Sequence, residues 1–224
     1  MFSEEMIHTV DKINSANIIG YPYTHIEVDN VFSDSMYNLM LENTIPSDFL
    51  YSLKDRGRVS ASYSEGRLVT DLKPTMPNLP NSIREFWEDF SIWMHYSFKK
   101  IILRKFNLLT SDIKVDCLYT RDSKGFHLRP HADTNSKIVT ALIYLPKNNN
   151  NLDIGTSIYT PKKEDFVCET GMHYNFTDFN LYKTVSYQPN KLFCFVKSNK
   201  SFHGLEPIKE NVTRDLLIFD IQKA

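Results

Sequence analysis

Apolar residues in the second half of the chain fall into four short runs that predict β-strands. The runs are rich in β-branched and aromatic residues and end at polar segments, which is typical of strands buried inside a sheet. They cover residues 113–119, 137–146, 191–197 and 214–221. In the second run, a period of two places Thr140 and Tyr144 on one face and only apolar residues on the other. The face with the two polar side chains is therefore predicted to line a pocket.

The first half has helical spacing instead, and it is predicted to support the strands. Residues 25–32 are predicted to form a strand, and a short helix follows from Ser33. Apolar residues recur at helical spacing over residues 80–106, which predicts a long amphipathic helix that Asn81 or Ser82 caps. We expect its apolar stripe to pack against the outside of the sheet, with a dimer interface as the alternative.

A polar segment over residues 52–70 lies between the predicted helices. It contains four cationic side chains and two acidic ones, at Lys54, Arg56, Arg58, Arg67, Asp55 and Glu65. Such a segment is either a lid over a substrate entrance or a solvated loop. Its excess of arginine favours an anionic or polar small molecule or peptide over a hydrophobic lipid as the substrate.

Composition excludes several classes of function. The 26 basic and 27 acidic residues leave a net charge of −1 without a polybasic block, so we expect no nucleic-acid binding. No apolar run is long enough for a membrane span, and the first residues lack the features of a secretory signal. The three cysteines, Cys117, Cys168 and Cys194, are widely spaced and are predicted to be free thiols, which favours a cytoplasmic location. We expect a single catalytic domain over residues 1–224.

Two histidines and an aspartate are the candidate metal ligands. His131 and Asp133 form an H-x-D triplet just before the run 137–146, and His203 lies six residues past the run 191–197. A residue just beyond a strand end combines rigid support with an exposed side chain. Two imidazoles and one carboxylate on one face of an ion leave the other face open, as in non-haem Fe(II) oxygenases, although Zn, Mn, Co and Ni also accept these donors.

A cation follows these residues at the start of the last apolar run. Arg214 lies eleven residues after His203 and opens the run 214–221. A guanidinium at the start of a buried strand loses hydration energy unless an anion meets it. We therefore expect a bound carboxylate beside Arg214.

The order of these features resembles the core of the iron(II)/2-oxoglutarate-dependent dioxygenases, in the prolyl-4-hydroxylase-like branch. The matching segments are, in chain order, "GFHLRPHADT", "IVTALIYLP", "GTSIYTP", "KLFCFVKSNKSFHG" and "RDLLIFD". The resemblance covers about half of the chain. It implies a mainly β fold class with supporting helices, in which residues 111–224 form a double-stranded β-helix (jelly-roll, cupin-like) core. Outside this core, residues 1–110 are predicted from their own pattern to supply N-terminal α-helices packed on one sheet and the lid or loop of residues 52–70.

The resemblance also implies a role for each candidate site residue. The side chains implied to hold Fe(II) and to be catalytic are His131, Asp133 and His203. Those implied to bind the cosubstrate 2-oxoglutarate are Arg214, Tyr144, Thr140 and Tyr119. Dioxygen is the implied oxidant, with ascorbate as a stimulant. Relatives often have Ser or Thr two residues after the basic residue, whereas this chain has Leu216, which leaves Tyr144 or Thr140 to share the carboxylate.

Three functions of different classes fit the sequence. The first is an Fe(II)- and 2-oxoglutarate-dependent oxygenase that hydroxylates a polar small molecule or a peptidyl side chain and releases succinate and CO2. The presence of Asp133, where halogenating relatives have Ala or Gly, favours hydroxylation. The second is a metal-binding barrel with hydrolase or isomerase chemistry, and the third is a non-catalytic barrel that binds a small acid. The sequence leaves the identity of the substrate and the oligomeric state open.

Overall fold

The computed structural model describes residues 3–53, 65–209 and 211–224. Its α-helices are α1 (Ser3–Ser15), α2 (Asp34–Glu42), α3 (Asn81–Trp93) and α4 (Lys99–Lys105). The strands of the first half and the start of the second are β1 (His25–Val28), β2 (Tyr51–Ser52), β3 (Arg67–Asp71), β4 (Ile113–Asp122) and β5 (Leu128–His131). The remaining strands are β6 (Lys137–Tyr144), β7 (Ser157–Pro161), β8 (Phe179–Thr184), β9 (Leu192–Val196), β10 (His203–Leu205) and β11 (Arg214–Lys223).

The strands form two antiparallel sheets that face each other. The larger sheet has the order β1-β9-β6-β11-β4-β3-β2, and the smaller sheet has the order β5-β10-β7-β8. Apolar side chains from both sheets, among them Leu142, Phe193 and Leu216 from the larger and Ile158 from the smaller, pack in one buried cluster between them. This arrangement is the jelly-roll, or double-stranded β-helix, and it confirms the predicted fold class.

The helices contact the other face of the larger sheet. Trp87 and Phe90 of α3 are fully buried in a cluster that also contains Ala141 of β6 and Leu217 of β11. The ring of Phe98 lies edge-on to Phe219 of β11, with 5.2 Å between their centroids. The alternation predicted for the run 137–146 therefore separates two environments: its apolar face meets the helices, and its other face points into the barrel.

Several boundaries differ from the predictions. The strand predicted over residues 25–32 is present but shorter, since β1 ends at Val28, where it pairs with β9, and the first half adds a strand that was not predicted, β3, which pairs with β4 in the larger sheet. The helix over residues 80–106 contains a π-helical segment, Met94–Phe98, between α3 and α4. Pro80 precedes α3 without a side-chain cap, so the predicted cap by Asn81 or Ser82 is wrong. The predicted cap of α2 is present, since the Ser33 side chain accepts a hydrogen bond from the Met36 amide.

Two further predictions concern single features of the chain. All three cysteines are free, and Cys117 and Cys194 are buried in strands, as predicted. Within the described ranges, no helix has both the length and the apolar character needed to cross a membrane. The lid proposed for residues 52–70 lies largely outside the described residues, but its last four residues belong to β3 and are not a loop.

Candidate metal centre

The backbone of the smaller sheet brings the three predicted metal ligands together. His131 ends β5 and His203 begins β10, and the two residues are direct partners across these antiparallel strands. Asp133 follows β5 by two residues, so its side chain returns to the same side of the chain. One ligand atom from each residue lies within 4.8 Å of the others, and all three side chains are buried. The imidazole centroids of His131 and His203 are 4.3 Å apart.

Backbone carbonyls orient both imidazoles for metal binding. The Nδ1 atom of His131 lies 3.0 Å from the carbonyl oxygen of Arg129, and that of His203 lies 3.0 Å from the carbonyl oxygen of Ser201. A carbonyl only accepts, so each Nδ1 carries the proton and each Nε2 presents a lone pair. Burial lowers the pKa of His131 well below its usual value and also lowers the pKa of His203. Both rings are therefore neutral at pH 7, which is the metal-binding form.

Asp133 is held in its charged form by a buried network. Lys137 Nζ lies 3.1 Å from Asp133 Oδ1 and 2.9 Å from Asp220 Oδ2. The Thr140 hydroxyl lies 2.8 Å from Asp133 Oδ2 and 2.8 Å from Asp220 Oδ1. Burial acts to raise the pKa of Asp133, but Lys137, the two imidazoles and the Thr140 hydrogen bond together outweigh it, and the pKa lies well below its usual range. Each carboxylate oxygen thus has a fixed partner, which restricts the rotation of this ligand.

The ligands open onto a cavity of about 90 Å³ inside the barrel. Its walls include Arg214, Leu216 and Ile218, which alternate along β11 and therefore share one face. Leu142 of β6 lines the apolar middle of the cavity together with Leu216 and Ile218. Thr156 lies at the end that contains Arg214. The cavity thus has a metal-binding end, an apolar middle and a guanidinium at the other end.

Arg214 has an internal partner that the sequence analysis did not anticipate. Its Nη1 donates to Asp122 Oδ2 at 2.7 Å, and its side chain is 2 % exposed. Asp122 therefore supplies an anion that the buried guanidinium needs. Arg214 Nη2 donates to Thr156 Oγ1 at 3.2 Å, while Arg214 Nε has no hydrogen-bond partner among the described residues. An unpartnered buried N–H is costly, so it indicates that this end of the cavity accommodates a further acceptor.

A second arginine contacts the same carboxylate. Arg67 of β3 donates to Asp122 through Nε at 2.6 Å and through Nη2 at 2.8 Å, and its guanidinium stacks over the Phe126 ring at 4.3 Å. Arg67 also lines the cavity. Two guanidinium groups thus share one buried carboxylate. Arg67 belongs to the segment that was predicted to be a lid or a solvated loop, whereas in the structure it lies in the barrel wall.

The predicted cosubstrate residues lie in three different places. Tyr144 lies beside Arg214, with its ring centroid 5.3 Å from the guanidinium carbon and its hydroxyl accepting from the Thr156 amide at 3.0 Å. Thr140 lies at the metal end, against Asp133. Tyr119 lies on the opposite face of the sheet, where its ring packs on Trp87 at 5.5 Å and its hydroxyl donates to Asp215 at 2.7 Å. This placement argues against Tyr119 as a cosubstrate residue.

His173 is a site residue for which the sequence pattern gave no signal. It forms an isolated antiparallel bridge with His131, and the two rings stack at 4.4 Å with 17° between their planes. Burial lowers the pKa of His173, and the nearby Arg129 lowers it further, so this ring is also neutral. His173 belongs to the loop between β7 and β8. That loop therefore forms one side of the metal centre.

The fold is similar to that of several solved oxygenase structures. A prolyl hydroxylase from Trichoplax adhaerens, in complex with a hypoxia inducible factor peptide fragment, has a TM-score of 0.57 and 14% identity over 97% of this chain and 89% of that chain. A prolyl-4-hydroxylase from Pseudomonas putida has a TM-score of 0.51 and 12% identity over 98% of this chain and 99% of that chain. HygX from Streptomyces hygroscopicus, with nickel, 2-oxoglutarate and hygromycin B bound, has a TM-score of 0.55 and 11% identity over 100% of this chain and 88% of that chain.

At these identities the likeness shows a shared fold. It confirms, at the level of the fold, the predicted resemblance to the prolyl-4-hydroxylase-like branch. No family model matches the sequence, and the search of curated proteins gives no significant similarity.

Proposed function

We propose that this chain is an Fe(II)- and 2-oxoglutarate-dependent oxygenase that hydroxylates a polar small molecule or a peptidyl side chain. The observation that carries the proposal is the convergence of His131, Asp133 and His203 on a cavity whose far end holds Arg214. The fold shared with prolyl hydroxylases and with HygX supports it. Bound Fe(II), with 2-oxoglutarate and O2, supplies the oxidant for a C–H bond, and succinate and CO2 are released.

The donor set fits Fe(II). The Nε2 atoms of His131 and His203 and one oxygen of Asp133 would hold the ion, which leaves its cavity side open. The carbonyl contacts of both rings and the Lys137 and Thr140 contacts of the carboxylate fix these ligands before the metal binds. Preorganisation of this kind favours metal binding because the ligands lose little further freedom.

The other end of the cavity fits a dicarboxylate. Arg214 Nε and Nη2, together with the Thr156 hydroxyl, would bind the distal carboxylate of 2-oxoglutarate, and Thr156 takes the role of the Ser or Thr that Leu216 replaces. Leu142 and Leu216 would contact its methylene groups. This arrangement orients the cosubstrate and excludes water from its middle.

The charges of the buried groups also favour a dianion. Three cations, Arg67, Lys137 and Arg214, are paired with three carboxylates, Asp122, Asp133 and Asp220. A divalent metal ion adds two positive charges to this balanced set. A bound 2-oxoglutarate dianion returns the site to neutrality, which reduces the cost of burying the metal.

Two observations support a substrate class: the side chains near the cavity entrance and the ligands of structurally similar proteins. The relatives bind a peptide in one case and the small molecule hygromycin B in another. The side chains near the entrance include His173 and the exposed Arg129, which donates to Asn175 at 3.4 Å. We therefore propose a polar or anionic substrate of either kind, with ascorbate as a stimulant of turnover.

Anaerobic binding tests the proposal directly. Addition of Fe(II) and 2-oxoglutarate to the metal-free protein is expected to produce a weak visible metal-to-ligand charge-transfer band. His131→Ala should abolish the band, and Arg214→Ala should weaken 2-oxoglutarate binding while leaving metal binding intact. Absence of the band in folded, metal-loaded protein would contradict the proposal and favour non-oxidative metal chemistry or a small-acid-binding role.

Turnover supplies the second test. Succinate release in air, measured over a panel of peptides and polar small molecules, is expected to rise above the uncoupled background with a true substrate. Turnover confined to hydrophobic lipids would contradict the proposed substrate class.

A further inference from the structure

Two guanidinium groups share the buried carboxylate of Asp122 unequally. Its Oδ1 atom accepts from Arg67 Nε at 2.6 Å, whereas its Oδ2 atom accepts from Arg67 Nη2 at 2.8 Å and from Arg214 Nη1 at 2.7 Å. Arg67 therefore makes the two-bond contact that a guanidinium and a carboxylate prefer. Arg214 makes a single bond to the same group.

The single bond leaves two nitrogen atoms of Arg214 for other acceptors. Its Nη2 donates to the Thr156 hydroxyl at 3.2 Å, and its Nε has no acceptor within the described ranges of the chain. Arg214 and Thr156 both line the cavity that contains the candidate metal ligands. A two-bond pair between Asp122 and Arg214 would occupy a further N–H group of Arg214. The guanidinium is thus available to an added anion only while Asp122 is held by another partner.

The strand pairing and an aromatic ring hold Arg67 in place for this contact. Arg67 of β3, Asp122 of β4 and Arg214 of β11 are direct partners in the register of three neighbouring strands. The Arg67 guanidinium lies over the buried Phe126 ring at 4.3 Å, and Arg67 also lines the cavity. The Arg67–Asp122 pair is therefore part of the barrel wall beside the binding end of Arg214.

We propose that Arg67 is a positioning residue for the cosubstrate: by holding Asp122, it keeps Arg214 open to the distal carboxylate of 2-oxoglutarate. This role rests on the proposed function, because it requires a dicarboxylate in the cavity. Without Arg67, Asp122 Oδ1 would have no donor among the described residues, and Arg214 would be the remaining partner of the carboxylate. The two side chains would then close into a two-bond pair. The charge of Asp122 would also repel a second carboxylate beside it.

Two arginine-to-methionine variants test this role. Arg67→Met removes one guanidinium and leaves Asp122 paired with Arg214, so we expect the variant to fold. Arg121→Met is the matched control, since Arg121 makes the same two-bond contact with Asp215, through Nε at 2.8 Å and Nη2 at 2.6 Å. Arg121 is next to Asp122 on β4 and therefore points to the opposite face of the sheet. The control should lower the melting temperature and leave the affinity for 2-oxo acids unchanged.

The measurement is an anaerobic titration of the Fe(II) proteins, followed by the charge-transfer band. The two titrants are 2-oxoglutarate and 2-oxovalerate, which has a methyl group in place of the distal carboxylate. Arg67→Met should raise the Kd for 2-oxoglutarate roughly tenfold or more and leave the Kd for 2-oxovalerate unchanged. An unchanged Kd for 2-oxoglutarate would overturn the role of Arg67. An equal loss for both acids would also overturn it, because the effect would then not concern the distal carboxylate.

A second substitution separates this mechanism from a direct contact between Arg67 and the cosubstrate. Addition of Asp122→Asn to Arg67→Met removes the charge that would close Arg214, so the double variant should recover affinity for 2-oxoglutarate in titrations at low temperature. A double variant that binds as weakly as Arg67→Met would overturn the mechanism.

Failure of this role is distinguishable from failure of the proposed function. No band in the wild type with either acid would remove the proposed function and this role together. A normal band in the wild type, with the same Kd for 2-oxoglutarate in Arg67→Met, would remove only the role of Arg67.

Discussion

Replacement of Asp122 by Asn removes the buried anion that two guanidinium groups share. The Asp122 side chain is 0 % exposed and accepts three hydrogen bonds, two from Arg67 at 2.6 and 2.8 Å and one from Arg214 at 2.7 Å. An Asn side chain has nearly the same shape but no charge. Its one oxygen accepts, and its amide group directs N–H donors at a guanidinium that also only donates. Asp122→Asn therefore removes the counter-ion of the buried Arg214 guanidinium and one anionic partner of Arg67.

The expected loss of stability is large for a change that keeps the volume constant. Breaking a buried ion pair by removing one partner costs about 3–5 kcal/mol, because the remaining charge stays buried. For a chain of 224 residues, each kcal/mol changes the melting temperature by roughly 2–4 °C. Asp122→Asn should therefore lower the melting temperature of the ligand-free protein by roughly 6–20 °C.

Urea and thermal unfolding, both followed by circular dichroism, measure this loss. Asp29→Asn is the matched control, since Asp29 accepts from Lys191 at 2.8 Å and Gln188 at 2.6 Å but its side chain is 60 % exposed. A pair whose carboxylate is this exposed contributes about 1 kcal/mol or less, and Lys191 keeps its contact with Glu27 at 3.5 Å, so the control should unfold close to the wild type. A loss below about 1 kcal/mol for Asp122→Asn, comparable to that of the control, would refute the assigned role of Asp122 as a counter-ion.

Three further predictions concern other parts of the barrel. Gly155→Ala would place a Cβ atom 1.6 Å from the carbonyl oxygen of Val185, so it should cost roughly 3 kcal/mol or more in urea unfolding, and a variant as stable as the wild type would contradict this packing. Phe219→Ala removes a fully buried ring between the larger sheet and the helices and should cost about 3–5 kcal/mol in the same assay, with a smaller loss for Phe219→Leu. Lys137→Met removes the ammonium that lowers the pKa of Asp133, so this pKa should rise and the acid limit of Mn(II) binding, measured by calorimetry from pH 4 to 7, should move to higher pH. An identical pH profile in the two proteins would show that Lys137 does not set the charge of this ligand.

The β core and the convergence of the three candidate metal ligands were predictable because their signals are local. The runs that became β6 and β9 are largely apolar over five residues or more, with β-branched residues in β6 and aromatic residues in β9, and this composition favours a buried strand. The H-x-D spacing places His131 and Asp133 on the same side of the chain, and the strand before His203 anchors the distal ligand. A local pattern therefore sufficed for these parts.

The rest of the site depends on pairings across long stretches of sequence. Arg67 and Asp122 are 55 residues apart and meet because β3 pairs with β4, but β3 has only five residues and lies in a segment that was predicted to be a lid or loop. His173 reaches His131 through an isolated bridge from the loop between β7 and β8. This loop has no periodicity that a sequence pattern can detect.

The alternation of side chains along a strand would have corrected the assignment of Tyr119 to the cosubstrate site. Tyr119 and Asp122 are three residues apart on β4, so their side chains point to opposite faces of the sheet. Once Asp122 is known to meet Arg214 in the interior, Tyr119 must face the helices, where it contacts Trp87. The resemblance suggested the residue type, and the geometry of the strand decided its side.

The two candidate histidine ligands and the guanidinium across the cavity from them belong to different sheets. His131 and His203 belong to the four-stranded sheet, whereas Arg214 belongs to the seven-stranded one. A 2-oxo acid bound at both ends would have to span the distance between the two histidines and Arg214, which the two sheets fix. The barrel would therefore select the length of the acid's carbon chain. Oxaloacetate, one methylene shorter than 2-oxoglutarate, would fall short of one anchor, and 2-oxoadipate, one methylene longer, would have to buckle between the walls.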